Sequence, residues 1–156
     1  DISHTSYADK LNENMFKPID TYVPFRNGLM LSQAACLAYS YFKDGGSVMY
    51  GAHSDDAAGS AYPDCSVDFY TSMEKAITFG TASKVNALAP FILSNKADVI
   101  NEGLRLKVPY ELTRSCYEGR EKSCGTCGTC IDRINAFKQL GKVDPIEYEI
   151  ELEWGN

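Results

Sequence analysis

Four cysteines stand in a window of fifteen residues, Cys116, Cys124, Cys127 and Cys130, with Gly119, Gly125 and Gly128 between them. Thiolates bind a tetrahedral ion at about 2.3 Å, and a Cys-x-x-Cys turn brings two sulfurs to one ion while backbone N–H groups donate to them. Cys124, Cys127 and Cys130 form two overlapping turns of this kind, and Cys116 supplies the fourth corner. The spacing predicts a zinc site; an iron–sulfur cluster, which uses the same ligand type, is the alternative. Four protein ligands leave no open position, so the expected metal is structural.

A second group of residues suited to chemistry is His53 to Cys65, HSDDAAGSAYPDC, which holds three acids, one histidine and a Tyr-Pro-Asp turn. It follows an apolar run, and in α/β sheets ligands bind in the loops leaving the C-terminal ends of strands. Asp55, Asp56 and Asp64 can serve a magnesium ion or a base edge, or simply form a polar surface. Lys96 lies near an expected helix start. Cys36 and Cys65 are assigned to core packing. There is no G-x-x-x-x-G-K-[ST] and no G-x-G-x-x-G loop to cradle phosphates on backbone N–H groups.

The elements that must position these groups alternate. Residues 1–21 give a loop-rich entry, and Asp1-Ile2-Ser3 fits the end of a strand already under way. Leu29 to Phe42 is apolar on nearly all sides, which predicts a buried helix with Asn27 as its cap and Gly45-Gly46 as its end. Val48 to Ala52 predicts a strand. Ser66 caps a helix with Phe69, Met73, Ala76 and Ile77 on one face, ending at Gly80. A strand follows at Val85 to Phe91. Asn95, with Asp98 three residues on, opens a helix to about Leu106. After the cysteines, Ile131 to Leu140 is helical and closes at Gly141. From Ile146 to Trp154 large apolar residues alternate with four glutamates, which predicts a strand with one wet face. The order of elements points to an α/β domain with a parallel sheet.

The chain of 156 residues is 44% apolar and 23% charged, within the globular range. Its net charge of −6 and dispersed basic residues argue against direct nucleic-acid binding. No apolar run approaches the length of a membrane span, and no signal-peptide plan is present. Cytoplasmic placement is the expectation.

Tyr22-Val23-Pro24-Phe25-Arg26-Asn27, Tyr62-Pro63-Asp64-Cys65 and Ser115-Cys116 leading into Cys124-Gly125-x-Cys127-x-x-Cys130 occur in one order, from about Tyr22 to Gly141. With Gly51-Ala52-His53, Leu93 to Ala97 and Val108 to Thr113 they closely resemble the QueC family of 7-cyano-7-deazaguanine synthases. The resemblance implies a Rossmann-like fold of the PP-loop ATPases (adenine nucleotide alpha hydrolase-like), with a C-terminal four-cysteine zinc segment over residues 110–141. It implies an ATP-dependent ligase that converts 7-carboxy-7-deazaguanine and ammonia to the nitrile, with Mg²⁺, in the cytoplasm and as a homodimer. Carried over, Cys116, Cys124, Cys127 and Cys130 are the metal ligands. Lys96 and Arg26 are the catalytic candidates, Asp64, Tyr62 and Asp56 face the substrate, and Arg26 and Asn27 lie by ATP. The family's Ser-Gly-Gly-x-Asp-Ser loop is absent from this sequence, and Arg114 stands where an aromatic is common. Residues 1–156 are therefore expected to be one domain, the downstream part of a longer PP-loop domain. A defence-associated modification enzyme of the same chemistry, or a non-catalytic binder of a deazaguanine or a partner, are the alternatives.

Overall fold

The computed structural model describes residues 21–154; the expected entry loop and strand end at residues 1–20 lie outside them. The described residues fall into two compact units that meet in sequence between Ser94 and Asn95.

The first unit is built on a β-α-β crossover. Helix α1 (Arg26–Tyr41) leads to strand β1 (Gly46–Met49), the short helix α2 (Ser54–Ala57), two 3₁₀ turns at Ala58–Ser60 and Pro63–Cys65, helix α3 (Val67–Gly80) and strand β2 (Val85–Leu88). The strands pair in parallel, Gly46 with Val85 through Met49 with Leu88, as parallel neighbours joined by a helix must. Ser66 caps α3 as expected, its side chain accepting the Phe69 N–H at 3.1 Å. Leu31, Ala35, Ala38, Val48, Ile77, Val85 and Ala87 form the core, with Phe69, Met73 and Tyr50 packed against it.

Several expectations for this unit need correction. Helix α1 begins three residues early and buries one face, Gly28, Leu31, Ala35 and Ala38. Leu29, Met30, Leu37 and Tyr41 are exposed, as is Cys36, so that cysteine is not a core residue. Apolar composition all round a helix states what it can bury; it does not supply the elements that would cover it. Asn27 is not the cap either. Phe25 occupies that position, in the left-handed region at φ 58°, with no side-chain cap bond. Strand β1 is Gly46–Met49, with Val48 alone buried, because the ladder with β2 ends at Leu88; beyond it Pro90 has no N–H for a further rung. On α3, Ala76 faces solvent.

The second unit holds helix α4 (Lys96–Arg105), a 3₁₀ turn at Tyr110–Leu112 and helix α5 (Gly128–Gln139). The capping box at the head of α4 forms as expected, Asn95 accepting from the Asp98 N–H and Asp98 from the Asn95 N–H. Ala97 and Ile100 pack on Ala136 and Phe137, with Tyr110, Leu140 and Trp154 around them. The expected C-terminal strand does not form: the described segment makes one isolated bridge, Ser123 with Tyr148. Its alternation is nevertheless used, since Tyr148 packs on the cysteines, Trp154 packs on the helix pair, and the glutamates are exposed. An alternating pattern selects a face, whereas a strand also needs a neighbour along its length.

Gly103 is buried on α4, and a methyl group there would sit 2.1 Å from the Tyr110 hydroxyl. That hydroxyl donates to the Ile100 carbonyl at 3.2 Å, and the ring stands edge-on to Phe137 at 5.5 Å. Gly103→Ala is therefore expected to destabilise by about 1–3 kcal/mol through overpacking, less the gain of about 0.5–1 kcal/mol from replacing a helical glycine. A urea titration checks it, and a stabilised variant would show that Tyr110 yields without loss.

Candidate functional site

The cysteine window folds as a knuckle against the head of α5. Cys116, Cys124, Cys127 and Cys130 are all buried, and their sulfurs lie within 4.8 Å of one another; Cys124 and Cys130 are 3.9 Å apart. A tetrahedral ion with bonds of about 2.3 Å spaces its sulfurs by about 3.8 Å, so the cluster fits a four-coordinate metal after a small contraction. The helix starts at Gly128, with Cys127 in the capping position. It therefore includes Cys130, where a start after that residue was expected. This makes the last Cys-x-x-Cys the first turn of the helix and fixes two ligands by helical geometry.

Donors surround the sulfurs. Cys116 accepts from the Glu118 and Cys124 N–H groups at 3.4 Å each, and Cys124 accepts from Thr126 at 3.5 Å and Cys127 at 3.3 Å. Thr129 Oγ1 lies 3.3 Å from Cys127 Sγ and donates to the Ser115 carbonyl. Such N–H groups favour thiolate over thiol. Burial alone would push the Cys124 thiol up, but the Thr126 and Cys127 amides outweigh it and bring it down to about 6. Cys130, with burial dominant, is pushed up instead. One position is thus charged at neutral pH before a metal arrives. Gly125 makes the turn possible: its φ is +76°, and a Cβ would meet Ile150 at 2.5 Å.

The knuckle is braced by Arg133, three residues beyond Cys130 and itself buried. Its guanidinium donates from Nε and Nη2 to the two oxygens of Asp144, and further to Thr113 Oγ1 at 2.8 Å and the Tyr110 carbonyl at 3.2 Å. The Asp144 side chain is fully buried and also accepts the Tyr148 hydroxyl at 2.8 Å. Burial followed by that bond keeps Tyr148 protonated. Nothing in residue type or spacing singled out Arg133 and Asp144; only their burial shows them.

In the first unit the Arg26-Asn27 and Tyr62-Pro63-Asp64-Cys65 motifs meet. The Asn27 N–H donates to Asp64 Oδ2 at 2.9 Å, and its side-chain amide donates to the Asp64 carbonyl at 3.2 Å and to Cys65 Sγ at 3.4 Å. The carboxylate, 3% exposed, therefore caps the first turn of α1 from 37 residues away, which is why Asn27 itself is free to point elsewhere. Asp56 pairs with His53 at 3.3 Å, and its carbonyl accepts the Tyr62 N–H at 3.0 Å. The Tyr62 hydroxyl meets Thr21 Oγ1 at 2.7 Å. Burial, then the acids around it, pushes the Cys65 thiol up to about 12, and burial followed by Cys65 and Asp64 does the same for Tyr50. Both are neutral at physiological pH, and Cys65 is the buried residue that the sequence predicts. Arg26 is exposed at the head of α1.

Arg26, Asn27, Asp56, Tyr62 and Asp64 thus belong to one polar corner of the first unit. Lys96 and the cysteines belong to the second, where Lys96 Nζ lies 4.0 Å from Asp132 Oδ2. Asp132 escaped notice in the sequence, although its place two residues after Cys130 was a signal available there.

The family model described as queuosine biosynthesis protein QueC matches residues 3–141. Among similar proteins are the 7-cyano-7-deazaguanine synthases of Caldicellulosiruptor bescii, 44% identical over 86% of this chain and 59% of the relative, and of Methanosphaerula palustris, 43% identical over 91% and 63%. That of Picrophilus torridus is 38% identical over 95% of this chain and 65% of its own length. The chain spans about six-tenths of the length of the curated relatives it matches.

Proposed function

Since the chain belongs to the QueC family, with a parallel pair of strands and a buried four-cysteine cluster, we propose that it acts in the ATP-dependent conversion of 7-carboxy-7-deazaguanine and ammonia to 7-cyano-7-deazaguanine. A carboxylate is a poor electrophile, so it must be activated by adenylation before ammonia can displace the leaving group and give an amide. A second ATP-dependent activation then removes water and leaves the nitrile.

In this proposal the four cysteines hold Zn²⁺, which supplies a fixed tetrahedral node and no reacting group. Arg26 and Asn27 lie beside the nucleotide, Lys96 meets phosphate or the substrate carboxylate, and Mg²⁺ is the phosphate counterion. Asp64 spends one oxygen on the head of α1 and offers the other to the N–H edge of the deazaguanine. Tyr62 and Asp56 shape that pocket. Activity as a homodimer in the cytoplasm belongs to the same proposal; among the described residues no helix is long and apolar enough to cross a membrane.

The observation that carries the reading is the union of the two upstream motifs through three hydrogen bonds from Asn27 to Asp64 and Cys65. A buried carboxylate is costly unless it is paired or hydrogen-bonded, and one oxygen of Asp64 accepts the N–H at the head of α1. Asp64→Asn keeps an acceptor for the Asn27 N–H but replaces the other acceptor by a donor. Calorimetry with 7-carboxy-7-deazaguanine is expected to show affinity at least tenfold lower, while the thermal midpoint changes by only the few degrees of a weakened cap. Unchanged affinity would remove Asp64 from the substrate site.

A further inference from the structure

Among the described residues the Tyr50 hydroxyl is buried and meets no hydrogen-bond partner. A hydroxyl shut away from water loses the bonds it makes in the unfolded chain, so buried polar groups are ordinarily paired. The rest of the residue is well held. Its N–H donates to the Leu88 carbonyl at 3.1 Å, continuing the ladder past Met49. Its ring packs against the core of the first unit and lies 6.4 Å from that of Tyr70. The hydroxyl is thus fixed in place and unused.

Its position points to a ligand. Tyr50 directly follows the last residue of β1, and α/β sheets take ligands at the C-terminal ends of their strands. Tyr70 stands in α3 four residues after Ser66, the cap that follows the Pro63–Cys65 turn, so the Tyr50 ring lies against the start of the helix that this turn leads into. Burial first, then the Cys65 thiol and the Asp64 carboxylate, push the hydroxyl up to about 12, which keeps it a donor at neutral pH. A donor therefore shares the corner with the Asp64 oxygen that does not serve the head of α1.

We propose that Tyr50 is a substrate-binding residue whose hydroxyl donates to the ring carbonyl of the deazaguanine, beside the N–H edge that Asp64 accepts. The inference rests on the reading of Asp64 as the residue facing that edge. A guanine-like edge sets a carbonyl oxygen next to its N–H groups. A carboxylate accepts from the N–H groups but repels the oxygen, which needs a donor of its own. Like Asp64, 3% exposed, the Tyr50 hydroxyl is reached only when the corner opens around the ligand, and the bond it then gains is one it lacks in the free protein. A ring without that carbonyl leaves the hydroxyl unpaired and is disfavoured.

Tyr50→Phe removes one oxygen and keeps the ring. In the ligand-free protein its thermal midpoint is expected to stay within about 2 °C of the parent or to rise, because replacing an unpaired buried hydroxyl by an apolar group of the same shape is neutral or stabilising. Calorimetry with 7-carboxy-7-deazaguanine should show affinity lower by about tenfold, the effect of one lost hydrogen bond. A second probe is the analogue in which sulfur replaces the ring carbonyl oxygen; it keeps the N–H edge and is a poor acceptor. The unsubstituted protein should prefer the oxygen compound, and Tyr50→Phe should shrink that preference by about fivefold, since the bulk of the sulfur falls on both proteins and only the hydroxyl differs. A larger fall in the midpoint would show that the hydroxyl is partnered in the free protein, and an unchanged preference would show that it does not meet the carbonyl; either result overturns the proposal. If Asp64→Asn weakens binding and Tyr50→Phe does not, this inference falls alone. If the deazaguanine does not bind the unsubstituted protein, or binds Asp64→Asn equally well, the reading of Asp64 falls and takes this inference with it.

Discussion

Cys130→Ala is expected to abolish metal binding and to unfold the second unit. The residue is 1% exposed, sits in the first turn of α5 and shares the cluster with Cys116, Cys124 and Cys127. Structural zinc sites contribute binding free energies of about 10–16 kcal/mol in small zinc-dependent peptides, as large as the whole stability of an ordinary domain at about 5–15 kcal/mol. Three thiolates cannot keep most of that energy, and the cavity left by the sulfur adds to the loss. Elemental analysis should find no stoichiometric metal, and the near-ultraviolet signal of Trp154 and Tyr148, both packed in this unit, should collapse. Cys36→Ser, on an exposed face, should change neither. The effect should depend on pH in a definite direction. The Cys124 thiol is held down to about 6 by the amides around it, whereas Cys130, pushed up by burial, must release its proton to bind, so affinity rises with pH and the metal is lost as pH falls. A Cys130→Ala protein with full metal content and an unchanged melt would show that the cluster is not a four-ligand site.

The second large effect belongs to Arg133. Its removal leaves the Asp144 carboxylate, fully buried, with the Tyr148 hydroxyl as its remaining close side-chain donor among the bonds described. Breaking a buried pair from one side typically costs about 3–5 kcal/mol, because the orphaned charge stays in a dry place. Arg133→Ala also removes the donors that hold the Tyr110 carbonyl and Thr113, and the cation lying 5.5 Å from the Phe137 ring. Urea unfolding should show a loss of about 3–5 kcal/mol. The double change Arg133→Met with Asp144→Leu should recover part of it, since neither charge then remains to be solvated. A single variant within about 1 kcal/mol of the parent would mean that water reaches Asp144 and replaces the guanidinium.

Local chemistry was the part of the molecule most readable in advance. The cysteine spacing, the Ser66 cap and the Asn95 and Asp98 box each depend on residues within one or two turns, and each formed as the residues indicate. The parallel pairing of β1 and β2 followed from the βα alternation. Features decided by distant partners were not readable. Asn27 has the composition of a cap, yet Asp64 takes that task from 37 residues along the chain. Cys36 lies among apolar residues, yet the face it shares is uncovered among the described residues. The segment from Ile146 to Trp154 has the period of a strand, but a single bridge is all that its surroundings provide. Arg133 and Asp144 illustrate the same limit, because a charged residue eleven positions from its partner carries no mark of burial in the sequence alone.

The cap supplied by Asp64 also sets an order of events in folding. A helix of this length forms from its own residues in about 0.1–1 μs, and the middle of α1, from Leu31 to Ala38, packs on the core that β1, β2 and Ile77 of α3 supply. Its first turn is different. The Asn27 N–H finds its acceptor only after β1, the acidic loop and the turn at Pro63–Cys65 have all been placed, and closing so long a loop is paid in chain entropy. Helix α1 is therefore completed from its centre outward, and its N-terminal turn is a latch that closes late, when the corner carrying Asp64 has already taken shape.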